Sequence, residues 1–121
     1  MPIPWEATGA TYGFNDATAS WLPQPKQWAR FARSAEREDP ESTLWLYRRL
    51  LAERRRHALG AGTLEWLHDF GDDVVAYRNG AVTVIANAGT EAVTLPEGEL
   101  LLSSEPIVDR VLPQDTTVWL V

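Results

Sequence analysis

Cysteine is absent from this 121-residue sequence, and so is any long run of apolar residues. Without cysteine the chain has no disulfide, no thiolate zinc site and no cysteine nucleophile. No stretch approaches the roughly 18–20 apolar residues that a membrane-spanning helix needs, so we predict no membrane insertion. The segment from Met1 to Glu6 also lacks the basic and apolar regions of an export signal. These absences together favour a cytoplasmic protein.

Basic residues are scarce in the second half of the chain. The net charge is −6, which disfavours nucleic acid or an anionic membrane as a partner. Residues 1–60 contain nine Lys or Arg and seven acids, whereas residues 61–121 contain two Arg and ten acids. The composition changes at Gly60-Ala61-Gly62, which is also typical of a helix end. We therefore predict two domains, residues 1–60 and residues 61–121.

The first 25 residues are rich in Gly, Pro, Thr and Asn and have neither a helical nor a strand period, which predicts a loop. A loop of this length is unusual in a compact domain unless it is functional or belongs to something larger. After it, residues Lys26 to Arg37 are predicted to form a short helix.

A second helix is predicted over residues 40–59. Asp39 supplies a side-chain acceptor at the N-cap, Pro40 suits the first helical position, and Gly60 suits a left-handed C-terminal cap. One broad face of this helix is apolar and is expected to be buried; its members are Leu44, Tyr47, Leu50, Leu51 and Ala58.

Trp45 projects from another side of the same helix, which predicts a second neighbour there. We therefore expect an interface formed by Leu44, Trp45, Tyr47 and Leu51.

From Gly62 onward the apolar period falls to two, which indicates β-strands. Seven short runs are predicted, at residues 63–67, 74–78, 81–87, 91–95, 100–103, 108–112 and 116–121. Asn79-Gly80 predicts a type I′ hairpin between the second and third runs. Short antiparallel strands at this spacing predict a β-sandwich or small barrel, with Trp66 and Trp119 in the core.

Residues able to carry catalysis are few, and each has a structural explanation. His57 lies near a helix C-terminus, where a cation is favoured, and His68 follows an apolar strand without a nucleophilic partner motif. The acids at 69, 72 and 73 lack the ligand spacing of a calcium loop and predict a solvated turn. The acids at 36, 38 and 39 precede a helix and are explained by capping. We predict no catalytic, cofactor or metal site.

Six tryptophans are the unusual feature of the composition. Trp5, Trp21 and Trp28 lie in or beside the N-terminal loop. Because aromatic faces can stack on sugar rings, they are candidates for contact with an α-glucan oligosaccharide; the alternative is that they fill a core.

Taken in order, several segments resemble the C-terminal portion of glycoside hydrolase family 13, in particular its α-glucosidase and oligo-1,6-glucosidase branch. The resemblance extends over essentially the whole chain. The matching segments are Pro2-Ile3-Pro4-Trp5, Tyr12-Gly13-Phe14, Trp21-Leu22-Pro23-Gln24-Pro25, Asp39-Pro40-Glu41-Ser42-Thr43-Leu44, Leu46-Tyr47-Arg48-Arg49-Leu50-Leu51, Gly62-Thr63-Leu64-Glu65-Trp66-Leu67, Val82-Thr83-Val84-Ile85-Ala86-Asn87 and Leu112-Pro113-Gln114-Asp115-Thr116-Thr117-Val118-Trp119-Leu120.

The resemblance implies an α+β chain in which a loop and a helical segment precede an antiparallel β-sandwich of the α-amylase C-terminal type. Residues 1–60 would be the end of a (β/α)₈ barrel, with residues 40–59 as its last helix. The family's catalytic carboxylates lie upstream of every matching segment, so no residue here inherits a catalytic role.

We therefore expect a truncated, non-catalytic part of an α-glucosidase with a stabilising role. Its expected partner is a second copy or a barrel, contacted through residues 40–59. Two alternatives stay open, a stand-alone carbohydrate-binding module and a subunit that complements a separate barrel.

Overall fold

The computed structural model describes residues 2–121. The chain divides into two compact units, Met1–Arg48 and Arg49–Val121. The boundary between them falls inside a helix, ahead of the composition change at Gly60.

The N-terminal loop is ordered by backbone hydrogen bonds although it contains no helix or strand before Lys26. The Trp5 amide donates to the Tyr12 carbonyl at 2.8 Å, which closes the loop upon itself. The Ala7 amide donates to the Ser34 hydroxyl at 3.0 Å, which ties the loop to the helical segment that follows.

The predicted helix from Lys26 to Arg37 is two elements, a 3₁₀ helix at Lys26–Phe31 and α1 at Arg33–Glu38. Ala32 separates them with an extended backbone, φ −65° and ψ 142°. The next two amides are used elsewhere, since Arg33 N donates to Pro4 O and Ser34 N to Trp5 O. Because a continuous helix would need these amides for its own ladder, anchoring the loop interrupts it.

The second helix, α2, spans Thr43–Arg56 and not residues 40–59. Asp39 accepts hydrogen bonds from the Glu41 amide (3.0 Å) and the Ser42 amide (3.1 Å), so it stabilises a separate turn. Ser42 takes the predicted place of Asp39 at the helix start, where its hydroxyl accepts the Trp45 amide at 3.5 Å.

The end of α2 also differs from the prediction. Ala58, and not Gly60, adopts the left-handed conformation, with φ 51° and ψ 35°. A short 3₁₀ helix, Leu59–Ala61, follows, and its first residue is buried. The chain therefore turns two residues earlier than Gly60, because Leu59 has to enter the core.

Each of the seven predicted runs overlaps a strand, and the second strand extends one residue beyond its run, to Asn79. The strands are β1 Leu64–Leu67, β2 Val74–Asn79, β3 Val82–Asn87, β4 Val93–Thr94, β5 Leu100–Ser103, β6 Val111–Leu112 and β7 Thr116–Leu120. They form a five-stranded sheet in the order β1-β2-β3-β7-β5 and a two-stranded sheet of β4 and β6. All of these pairs are antiparallel.

The main core lies between the two sheets. Ile85 and Val118, neighbours in the register of β3 and β7, are completely buried, and so is Leu112 of the small sheet. Leu95 and Leu120 extend this cluster. The α+β fold with an antiparallel β-sandwich is thus confirmed.

The hairpin between β2 and β3 forms as predicted, but its turn is shifted by one residue. Asn79 pairs with Val82, so the loop residues are Gly80 and Ala81. Gly80 has φ +58°, whereas Asn79 and Ala81 are not among the residues with positive φ. A positive φ at the first loop residue alone is the pattern of a type II′ turn and not of type I′.

A second buried cluster lies on the other face of the large sheet, where Leu59, Val82 and Val84 pack together. Trp119 packs against it, partly buried, as predicted. Trp66 was expected in the core and is 57% exposed. It lies on β1, an edge strand, so it has a neighbouring strand on only one side.

Replacing Ala58 by glycine should stabilise the protein. A residue with a Cβ atom pays roughly 1–2 kcal/mol for the left-handed conformation, and glycine avoids this cost at some expense in chain entropy. We expect a gain of about 0.5–1 kcal/mol in the free energy of unfolding, measured by urea denaturation. Ala61→Gly is the control, because Ala61 has no positive φ and should gain nothing.

Gly62→Ala should destabilise the protein, because the added Cβ atom would overlap with Asn79 Oδ1. The Asn79 side chain cannot move away freely, since its Nδ2 donates to the Leu59 carbonyl at 3.1 Å. We expect a loss of about 1–3 kcal/mol in urea denaturation. Gly60→Ala is the matched control: its Cβ would meet Arg54 at an ordinary 3.5 Å, and an equal loss there would contradict the explanation.

Candidate functional site

The two histidines are placed where structural roles explain them. His57 Nε2 lies 3.3 Å from Glu53 Oε2, one helical turn earlier, and its side chain is 18% exposed. Glu53 pairs with Arg56 at 3.5 Å, so one carboxylate lies close to both side chains at the end of α2. His68 is exposed beyond β1. Neither histidine has a hydrogen bond to a serine or threonine hydroxyl among the described residues.

The acids at 69, 72 and 73 are exposed, as expected of a solvated turn. Asp72, Asp73 and Glu91 line a shallow pocket of about 180 Å³. The pocket's amide side chain, Asn87, is already satisfied: it donates to the carbonyls of Glu91 and Leu112 and accepts the Gly89 amide. Within residues 2–121 no group of three or more His, Cys, Asp or Glu side chains is placed to hold a metal.

The acids that precede α2 surround a polar pocket of about 330 Å³. Glu36, Asp39 and Glu41 line it together with the cation Arg30. The carboxylate of Asp39 is occupied by the Glu41 amide, and the Glu36 carbonyl accepts the Ser42 hydroxyl at 2.8 Å. These groups hold the turn between α1 and α2.

The three candidate sugar-contacting tryptophans are not brought together in one pocket. Trp28 lines an apolar pocket of about 240 Å³ with Pro2, Ile3, Pro4 and Phe31. Trp5, 46% exposed, and Trp21, 97% exposed, are not among its lining residues. The pocket is almost purely hydrocarbon, whereas Trp21 offers an open indole face.

The predicted apolar face of α2 is present but uncovered. No residue of α2 is buried. Tyr47 is 61% exposed and Leu51 is 48% exposed, while Leu44 and Leu50 are half-buried. A helix that keeps large apolar side chains in water loses the burial that normally stabilises it.

Trp45, the fourth predicted interface residue, is already engaged. Its indole Nε1 donates to the Arg37 carbonyl at 3.0 Å, which caps the end of α1. The Arg48 guanidinium lies 4.9 Å from the centroid of its ring. The second neighbour that its position predicted is therefore α1, within the N-terminal unit.

Sequence reasoning missed an apolar surface on the second compact unit, Arg49–Val121, which we call the β-unit. Leu64 and Trp66 of β1 and Val75 of β2 are each about half exposed. Trp66 contacts Tyr77 edge to face, with ring centroids 5.8 Å apart. Alternation marks these residues as one face of a sheet, but it does not reveal that their strand is an edge.

No family model matches the chain. It is 33% identical over 100 residues to a salivary alpha-glucosidase of Anopheles gambiae, an alignment that covers 78% of this chain and 16% of the relative. No helix within residues 2–121 has the length and apolarity needed to cross a membrane.

Among solved structures, the fold matches that of the trehalose-6-phosphate hydrolase of Bacillus licheniformis with a TM-score of 0.75 and 21% identity. The match covers 98% of this chain and 24% of that one, so the chain spans a small part of both proteins. The resemblance expected from the motifs is confirmed: the chain is homologous to enzymes of glycoside hydrolase family 13.

Proposed function

We propose that this chain is the non-catalytic C-terminal portion of an α-glucosidase-like glycoside hydrolase and that its role is structural. Retaining glycosidases need two carboxyl groups roughly 5 Å apart, held in a site that binds the sugar. The acids with partners here serve other purposes, since Asp39 closes a turn, Glu53 pairs within α2 and Glu65 pairs with Arg78. A complete (β/α)₈ barrel needs roughly 200 residues or more, which exceeds this chain.

The uncovered apolar face of α2 is the observation that carries the proposal. In the family-based interpretation this helix is the last helix of the barrel, where its neighbours would cover Tyr47 and Leu51. Fully burying such a side chain contributes about 1.5–3 kcal/mol, and each of these two still has about half of that to gain. A barrel, or failing that a second copy, would supply the missing cover.

The opposite side of α2 is suited to water. Arg56 is 71% exposed and pairs with Glu53. Such surface pairs contribute only tenths of a kcal/mol, so this side offers little to a partner. Recognition through α2 would therefore depend on its apolar face.

A docking assay tests this proposal with two lysine variants of α2. Tyr47→Lys puts a charge on the apolar face, whereas Ala52→Lys puts the same charge about 140° away around the helix. With a family 13 barrel that lacks the matching region, we expect Tyr47→Lys to weaken binding about tenfold or more and Ala52→Lys to leave it unchanged. Both residues are exposed, so both variants should fold normally.

The same experiment measures cleavage of p-nitrophenyl α-glucoside. The chain alone should give no turnover. Turnover restored by adding the barrel would favour the complementing subunit. Turnover by the chain alone, lost when one of its own Asp or Glu residues is changed, would contradict the proposal.

Binding of an α-glucan oligosaccharide is a second candidate function, favoured by the exposure of Trp21. Trp is on average a highly buried residue, whereas Trp21 is 97% exposed, so its ring is accessible to a ligand. Its open face could stack on a sugar ring, as the sequence interpretation suggests for Trp5 and Trp28 as well.

Calorimetric titration of maltose or isomaltose tests this second candidate. Wild-type protein should bind in the millimolar range, and Trp21→Ala should abolish the heat of binding. Trp66→Ala is the matched control, because it removes another exposed indole from the other unit. Equal loss in both variants, or no heat with wild type, would count against a site at Trp21.

A further inference from the structure

The large sheet has two edges, and only one of them is protected against pairing. At the β5 edge, the register with β7 shifts between Leu100 and Leu102. Such an irregularity bends and twists a strand, which hinders another strand from adding to it. At the other edge, β1 pairs with β2 in four consecutive steps without a bulge. The outer side of β1 is thus the regular edge of this sheet.

The backbone along β1 has no other partner. Within residues 2–121, no hydrogen bond joins residues 63–70 to anything outside the β1–β2 ladder. No proline or lysine lies within Leu64–Leu67, so two common protective devices are missing from the strand. The outward N–H and C=O groups of β1 are available to a further strand.

The side chains of β1 favour pairing as well. Leu64 and Trp66 lie on one face and are 47% and 57% exposed. Glu65 is the only charged residue of the strand, and its carboxylate lies 3.6 Å from the Arg78 guanidinium of β2. The edge therefore presents an apolar face and a charge that already has a partner.

We propose that β1 pairs antiparallel with β1 of a second copy, which joins the two five-stranded sheets edge to edge. A two-fold axis perpendicular to the sheet pairs residues that lie on the same face, and the four-residue strands overlap most when it passes through one of the two central residues, Glu65 or Trp66. The Glu65 register sets two like charges opposite each other, which is unfavourable. The Trp66 register sets the two indoles side by side and places Glu65 opposite Leu67 of the copy.

A second copy fits this edge because the edge is complementary to itself. In the Trp66 register the outward backbone groups of one β1 strand face those of the other. The two Trp66 side chains are in contact, and the two Glu65 side chains are not opposite each other. The Trp66 and Tyr77 rings, 5.8 Å apart, would continue into a row of four aromatic side chains across the junction. This surface is distinct from the α2 face and does not depend on the function proposed for it.

Sedimentation equilibrium of the full chain over a range of concentrations tests this pairing. We expect a monomer–dimer equilibrium in wild type and a dissociation constant raised about tenfold or more in Trp66→Lys, which places two like charges at the axis. Val75→Lys is the matched control: Val75 is 49% exposed on the same face but one strand in from the edge, and we expect a change within about twofold.

Hydrogen exchange identifies the strand involved. Amides of residues 64–68 should gain protection as the concentration rises, in wild type and Val75→Lys but not in Trp66→Lys. If urea denaturation finds Trp66→Lys unfolded, Leu64→Lys replaces it at the same edge.

Three results would overturn the proposal. The first is a monomer at every concentration. The second is equal weakening by Val75→Lys, which would indicate stacking of sheet faces. The third is a dimer that Tyr47→Lys abolishes while the β1 amides stay unprotected, which would place the contact on α2.

Discussion

Strand β3 is the element on which the rest of the β-unit depends. Its residues are buried or half-buried on both faces, with Val82 and Val84 toward one cluster and Ile85 toward the other. It pairs with β2 on one side and β7 on the other along almost its whole length. Because β3 has a paired strand on each side and a buried cluster on each face, a shift of its register would disrupt both ladders and both clusters, so it fixes its neighbours.

Two amide side chains, one at the end of β3 and one on its partner β2, connect these strands to the surrounding loops. Asn87, at its end, is 2% exposed and holds the carbonyls of Glu91 and Leu112, which brings the small sheet over Ile85. Asn79, across from Val82, holds the Leu59 carbonyl and so places Leu59 over the other face. Both clusters therefore depend on β3 and on two side-chain amides, which donate hydrogen bonds to carbonyl groups that would otherwise need water.

The sequence predicted the strands well and the helix ends poorly, for physical reasons. Val82 to Asn87 is a short run rich in β-branched residues and bounded by glycines at 80 and 89, and such runs predict strands from local sequence, so the fold class follows. Helix ends depend on which amides are used elsewhere, as with Arg33 and Ser34, which bind loop carbonyls distant in sequence. Ala58 takes the left-handed turn because Leu59 must be buried, and no local signal in Gly60 or Ala58 reveals that. Trp66 was misplaced because strand order is a tertiary property.

The two exposed apolar surfaces, on α2 and on β1, require different kinds of partner. On α2 the backbone hydrogen bonds are satisfied within the helix, so Tyr47 and Leu51 can recognise a partner only by side-chain packing. On β1 the outward backbone groups along the edge are hydrogen-bonded to water, and a further strand can replace that water with a ladder of hydrogen bonds. The helical surface of a barrel can pack on α2, but it has no strand that could pair with β1. An additional strand suits the second, so the two surfaces select partners of different chemistry.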